Sequence, residues 1–326
     1  MATRRQVLQV SGALLVCWLT EPTAFAQEAY PGSREVHVIA AFPPGSEADI
    51  IPRYFSENMR PFLGATIVVE NKVGASGNIA IAYVAKAKPD GYTILMTPPT
   101  GIAAGLSLFK NPGSDPSAFA VLGSACRYAF TVSVAANSPH KTLQSLIDAV
   151  RAKGANASYG AGAPSGQVAG ALMKNILKLA AVEVPYRVSG DTLNDLNSGA
   201  LDYAIYPPAF ALLRHREGKL RVLAVASKER TTVAPDIPTM DESGVPGVDV
   251  TGWWGIAVPA GVPQPIKDKI SSAFLKMAEK PETKKWLTES FCDPWVVGPA
   301  EAQAQMIKDI KAWAENVKLA NLEPKG

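Results

Sequence analysis

Apolar positions along this chain follow two rhythms. Short β-branched runs alternate with stretches whose apolar residues recur at helical spacing. The run at 36–42, VHVIAAF, reads as a buried strand. The pattern at 48–63 reads as a helix, with Pro52 tolerated in its first turn. A second strand follows at 66–70, a second helix at 77–87, and a third strand at 92–97, entered through the turn signal PDG at 89–91. This βαβαβ order predicts a mostly parallel sheet covered by helices.

The same alternation restarts further along. An amphipathic helix is predicted at 143–152, a strand at 157–160, a helix at 165–179 and a strand at 182–186. A short helix at 192–199 ends at Gly199, and strands follow at 201–206 and 220–227. No long flexible linker separates the two units, so two lobes joined by crossing strands are expected. The candidate crossings are 119–135 and the region after Ser227. Beyond 252–260 the remainder reads as helix. The resulting division puts 27–125 with about 228–280 in lobe 1, and 126–227 with about 281–326 in lobe 2.

Composition narrows the class. Of 326 residues, 47% are hydrophobic and 19% charged, a globular balance. A net charge of +3 gives no basis for a phosphate-backbone binder, so no nucleic-acid partner is expected. Residues 1–26 stand apart as an export signal: Arg4 and Arg5, an apolar run at 13–19, and Ala24-Phe25-Ala26 before cleavage ahead of Gln27. The run is too short to span a bilayer. The two arginines fit an ordinary secretory signal or a twin-arginine one. Two cysteines remain after cleavage, Cys126 and Cys292. Export permits a disulfide, but two free buried thiols are the expected state.

The candidate chemistry lies at corners where a strand ends and a helix begins. In AAFPPGSEADII (40–51), Ser46 and Asp49 fit a capping box. First-turn N–H groups left over, with the helix dipole, favour an anion, and Gly45 permits close approach. An unoccupied structural turn is the alternative. A second corner, SYGAGAPSGQVAG (158–170), has the same design, and two helix starts facing each other would clamp an anion. Gly160, Gly162 and Gly166, with Glu183 downstream, also form a loose dinucleotide fingerprint, but the spacing is off by one and export removes the protein from nicotinamide pools. No nucleophile elbow or HExxH is present, and His37, His140 and His215 lie far apart, so no catalytic residue, metal or cofactor is expected. Arg127, on a predicted crossing strand, either reaches the cleft or sits on the solvent face of the hinge.

Several stretches carry a resemblance. FPPGSEADI, VVENKVGASGNIAIAYVAKAKPDGYTILM, VPYRVSGDTLNDLNSGALD and the run at 218–263 are similar to the tripartite tricarboxylate transporter substrate-binding proteins, the Bug or TctC family. The similarity covers nearly all of the chain after the signal. It implies an α/β, two-lobed periplasmic binding protein of the Venus-flytrap, type II-like kind. Its function would be to capture a small organic carboxylate, as a monomer, and deliver it to the permease subunits of a membrane transporter. A ligand sensor in signalling and a dinucleotide-dependent enzyme are the competing readings.

Carried over by position, the first corner of the ligand site is Phe42, Pro44, Gly45 and Ser46, then Glu47, Ala48 and Asp49. Thr97, Thr100 and Gly101 follow the third strand. Gly160, Ala161, Ser165, Gly166 and Gln167 form the second corner, and Tyr186, Tyr206 and Phe210 close the pocket. The chain departs from the family at these places. Glu47 stands where small residues are usual, either facing solvent or turned into the cleft to select the ligand. The second corner has few side-chain donors, and YPPAF replaces a more polar stretch. Fewer donors and more Tyr, Pro and Phe imply a ligand with an apolar or aromatic body.

Overall fold

The computed structural model describes residues 30–186 and 189–324, apart from the side chain of Glu47. The expected export signal lies outside the described residues. The first unit comprises β1 (Val36–Ala40), α1 (Glu47–Leu63), β2 (Ile67–Asn71), α2 (Asn78–Ala85) and β3 (Thr93–Thr97). It is the predicted βαβαβ. β1 is buried apart from His37, which fits its apolar pattern at Val36 and 38–40. α1 turns Phe55, Met59 and Leu63 inward at helical spacing. It stops at Gly64, whose left-handed backbone (φ 73°) lets its N–H close onto the Arg60 carbonyl.

Next come α3 (Thr100–Leu108), β4 (Phe119–Ala129) and β5 (Thr131–Ala135). The second unit continues with α4 (Leu143–Lys153), β6 (Ser158–Ala161), α5 (Pro164–Ile176) and β7 (Val182–Pro185). It closes with α6 (Ser189–Ser198), β8 (Tyr203–Tyr206), α7 (Pro208–Arg216) and β9 (Leu220–Val225). The chain then returns through β10 (Thr251–Pro259), α8 (Gln264–Ala278), α9 (Pro281–Glu289), β11 (Asp293–Val297) and α10 (Pro299–Leu319). α3, α7 and β11 were not read from the sequence.

The strands form two sheets, ordered β11-β4-β10-β3-β1-β2 and β7-β6-β8-β5-β9. Both are mixed, which corrects the expectation of mostly parallel sheets. β1 runs parallel to β2 and β3, and β6 parallel to β7 and β8. The strands that carry the chain between sheets return against the rest: β10 is antiparallel to β3 and β4, and β5 to β8 and β9. Residues 293–297, expected with the second lobe, pair as β11 with β4 of the first sheet. α10 packs on β4 and α3 and also reaches α5, with Trp313 and Val317 in the second lobe's core.

The crossings meet in a ring of backbone bonds. Phe130 N–H donates to the Val250 carbonyl, Val250 N–H to Ala226, and Ala226 N–H to Phe130, at 3.3, 2.9 and 2.7 Å. By sheet membership the chain crosses between β4 and β5 and again between β9 and β10, at the predicted crossings 119–135 and after Ser227. Asp293 fastens a neighbouring loop by accepting from Thr231 Oγ1 at 2.6 Å and Thr232 N–H at 2.7 Å. Cys126 and Cys292 are both buried and free. Burial, with the neighbouring Cys292 thiol, pushes the Cys126 thiol well up.

Candidate functional site

The first corner is built as a rigid bracket. After β1 the chain passes Pro43 and Pro44 to Gly45, which adopts φ +76°. Ser46 holds the extended backbone of an N-cap, but its hydroxyl donates backwards to the Pro43 carbonyl at 2.6 Å. The expected capping box is therefore not formed. Asp49 reaches past Ser46 and accepts from Gly45 N–H at 2.8 Å, Arg53 Nε at 2.7 Å and Asn71 Nδ2 at 2.6 Å. Burial alone would raise the Asp49 carboxyl; the bonds from Arg53, Asn71 and Gly45 outweigh it and hold the group below its ordinary value. Asp49, expected at the ligand, is engaged here in holding the corner.

Three other helices begin at the same place. α3 starts after Pro98-Pro99, α5 at Pro164, and α7 after Pro207. Like α1, none of them has a side-chain cap. α4 is capped, Thr142 Oγ1 accepting from Ser145 N–H at 3.2 Å, whereas α2, α8, α9 and α10 lack side-chain caps as well, so it is the convergence of these four starts that is distinctive. Four uncapped helix starts, two from each lobe, surround one cavity of about 570 Å³. Proline at the start of α5 and α7 pre-sets the helical φ at positions whose N–H would be unpaired anyway.

The walls are apolar. Phe42 and Trp254 (ring centroids 6.3 Å apart) line one side, and Phe130 from the crossing lines the floor. Trp286, stacked on Tyr54 at 3.7 Å, stands opposite Phe210 and Leu213 of α7. Among the described side chains lining the cavity, only Arg214 and Glu289 are charged. The Arg214 guanidinium lies 5.2 Å from the Phe210 ring centroid and 3.5 Å from Glu217. Lys219 holds the same Glu217 oxygen at 2.9 Å. Glu289 is on the rim, 63% exposed, with Lys285 at 3.9 Å.

Of the residues predicted from sequence, Phe42, Ala48, Thr97, Thr100 and Gly101 reach the lining, as do Ser165 and Phe210. Glu47 opens α1, but its side chain lies outside the described residues. Pro44, Gly45 and Ser46 belong to the corner but do not line the cavity. The second corner reaches the cavity through Ala163, Pro164 and Ser165; Gln167 does not line it. Ala161 is fully buried. Gly160 does not line the cavity and is closely packed: a Cβ there would sit 2.7 Å from Thr192 and 2.8 Å from Tyr186. Gly166 faces Ala161 and Ile205 instead.

The Tyr186 hydroxyl donates to Asp195, and burial, reinforced by that carboxylate, raises it to about 12. Tyr206 is fully buried, packed on Phe210 at 5.0 Å, and does not line the cavity. Arg127 pairs with Glu229 at 3.4 Å on an exposed face, the solvent-side alternative. The three histidines take separate partners: Glu70 for His37, Ser145 for His140 and the Leu220 carbonyl for His215. Among the described residues, no group of three His, Cys, Asp or Glu could hold a metal ion.

Sequence reading missed Trp254, Phe130, Trp286 and Arg214. For α7 a signal existed. The doublet Pro207-Pro208 marks a helix start, and Phe210, Leu213 and Arg214 then fall on one face. Pro98-Pro99 marks α3 in the same way.

The geometry has counterparts among known proteins. The tripartite tricarboxylate transporter family receptor profile matches residues 51–322. A UPF0065 protein in the TAR-I ttuE-ttuC' intergenic region of Agrobacterium vitis is 31% identical over 271 residues, covering 82% of this chain and 77% of that protein. The structure of the periplasmic binding protein BugD is 30% identical with a TM-score of 0.79, covering 90% of this chain and 99% of that one. Rpa4515 of R. palustris, solved with adipate, is 27% identical with a TM-score of 0.82, over 90% of this chain and 99% of that one. The chain belongs to the TctC or Bug family of periplasmic solute-binding receptors, two-lobed exported proteins that bind a solute for transport and are not enzymes.

Proposed function

We propose that this receptor captures a small carboxylate with an apolar or aromatic body and hands it to the permease subunits of a tripartite tricarboxylate-type transporter. The observation that carries this reading is the meeting of four uncapped helix starts in one apolar-walled cavity. Each helix start contributes a dipole worth about 0.3–1 kcal/mol toward an anion, with the first-turn N–H groups its own helix leaves over; at α3 those of Gly101 and Ile102 are already bonded to the Pro98 and Pro99 carbonyls. The aromatic walls gain roughly 25 cal/mol for each Å² of apolar ligand surface they cover. Adipate, the ligand in the Rpa4515 structure, combines both features: carboxylates and an apolar chain. The two connections bonded together at Phe130, Ala226 and Val250 give the two lobes a place to hinge closed.

A thermal-shift screen of the mature protein against paired acids and amides tests the reading. A ligand at 100 times its Kd adds about 2.7 kcal/mol of stability, an easily read shift. Benzoate, hexanoate and adipate are expected to stabilise the protein, and to be recovered unchanged. Their amides should not. Equal stabilisation by acids and amides, or chemical conversion of the acid, overturns the proposal.

A further inference from the structure

We infer that Arg214 reads the far end of the ligand and makes the receptor selective for solutes carrying a second anionic group across an apolar body. The inference rests on the carboxylate reading of the cavity and names the residue that would set its specificity. Arg214 is the one cationic side chain among the described lining residues. It projects from the second turn of α7, on the same face as Phe210 and Leu213. About 9 Å of helix rise separates it from the start of α7 at Pro208. The cavity therefore offers two kinds of anion contact: backbone N–H groups at the helix starts, and a guanidinium further along one wall. Between them lie Phe210 and Leu213, which suit a short chain or a single ring.

The guanidinium is poised rather than committed. Its 3.5 Å approach to Glu217 is long, and Lys219 holds that carboxylate more closely at 2.9 Å. Arg214 can turn to a ligand without leaving Glu217 unpaired. Contact with the Phe210 ring keeps the planar group beside the cavity wall. A planar guanidinium accepts a carboxylate through two parallel N–H bonds, which fixes orientation as well as charge. Its side chain is 29% exposed, so water screens it less than it screens Glu289 on the rim, at 63%. Glu289 sits on α9, which packs on β11 of the first sheet, and Arg214 on α7, which packs on β9 of the second. A closure latch between the two is the competing role for Arg214, and the test separates them.

The experiment is titration calorimetry on the mature protein with two matched pairs of probes: hexanoate with adipate, and benzoate with terephthalate. Wild type should bind at least one diacid about tenfold more tightly than its monoacid, equivalent to about 1.4 kcal/mol. Arg214→Met should erase that preference while leaving monoacid affinity within about twofold, and Arg214→Lys should keep part of it because charge survives without the bidentate fork. Glu289→Gln should leave the preference intact. Equal weakening of monoacids and diacids by Arg214→Met, matched by Glu289→Gln, assigns the residue to a latch and overturns the inference. Diacids that bind no better than monoacids in wild type overturn it as well, and leave the carboxylate reading standing. No binding by any of the four probes sinks both.

Discussion

The two strand–helix corners at the cavity occupy equivalent places in their lobes and are held by opposite means. The first, between β1 and α1, is held by polar bonds: Asp49 gathers Gly45, Arg53 and Asn71 onto one carboxylate. The second, between β6 and α5, is held by contact. Gly166 lets α5 sit against Ala161 and Ile205, and Gly170 meets the Tyr159 ring so closely that a Cβ would lie 2.3 Å from it. Both solutions leave the helix start without a side-chain cap, open toward the cavity. An anion site of this kind needs a fixed backbone, and either a buried carboxylate or a close-packed glycine can fix it. The first corner should therefore fail when charge is removed, and the second when volume is added.

The largest effect is expected at Asp49. Asp49→Ala takes the acceptor from Gly45 N–H and one of two acceptors from Asn71 Nδ2, which keeps the Phe42 carbonyl at 2.8 Å, in a place where Asp49 itself is 1% exposed. Hydrogen bonds to a charged group contribute about 1.5–3 kcal/mol each, and Arg53, 47% exposed, recovers much of its share from water. A net loss of about 3 kcal/mol in urea denaturation at neutral pH is expected. The acid limb gives an independent check. The Asp49 carboxyl lies below its ordinary value in the folded state, so its contribution is present above the unfolded pKa. It is lost as pH falls through the lower, folded value. Asp49→Asn should flatten this acid loss; a variant whose stability falls with pH as steeply as wild type would show that the bracket is not charge-dependent.

A smaller loss is expected from Gly170→Ala. Alanine should gain about 1 kcal/mol in helix propensity over glycine. Its methyl, however, meets a Tyr159 ring that is 1% exposed and stacked on Tyr203 at 5.1 Å, so the ring has little room to move. Overpacking of this kind costs typically 1–3 kcal/mol, and a net destabilisation of about 1–2 kcal/mol is expected. Stabilisation by Gly170→Ala would mean that the second corner is not held by close packing.

Much of this was legible in the sequence. The βαβαβ rhythm located both corners to within a residue or two, because alternating short apolar runs and helical spacing survive any detail of packing. Sheet direction was not legible: β10 carries the same apolar pattern whether it runs with β3 or against it, and only the chain's return from the second sheet decides. At the site, residues near a helix start, such as Ala48, Thr100 and Ser165, were found because helix starts have a local signature. Trp254, Phe130 and Trp286 come from elements distant in sequence, and no local pattern points their rings at a common space. Gly160 and Tyr186, both expected at the ligand, pack against each other, a contact between β6 and the end of β7 that only sheet register reveals.

The smallest effect is expected at Ser46, and it tests whether the first corner is open at all. A serine in the N-cap position normally accepts from a first-turn N–H, and its loss to alanine costs typically about 1 kcal/mol. Ser46 has the extended backbone of a cap, yet its hydroxyl is turned to the Pro43 carbonyl at 2.6 Å. Ser46→Ala should therefore cost less than about 0.5 kcal/mol. Thr142→Ala, at the start of α4, removes a bond that is made, from Ser145 N–H at 3.2 Å, and should cost about 1 kcal/mol. The pair is best measured side by side in urea, so that errors of extrapolation cancel. Ligand binding adds a second reading: if the anion is held by backbone N–H groups, Ser46→Ala leaves benzoate or adipate affinity within about twofold. Should Ser46→Ala cost as much as Thr142→Ala, the hydroxyl caps α1 in solution. The first corner would then be closed by its own serine, and the second would be left as the more open of the two.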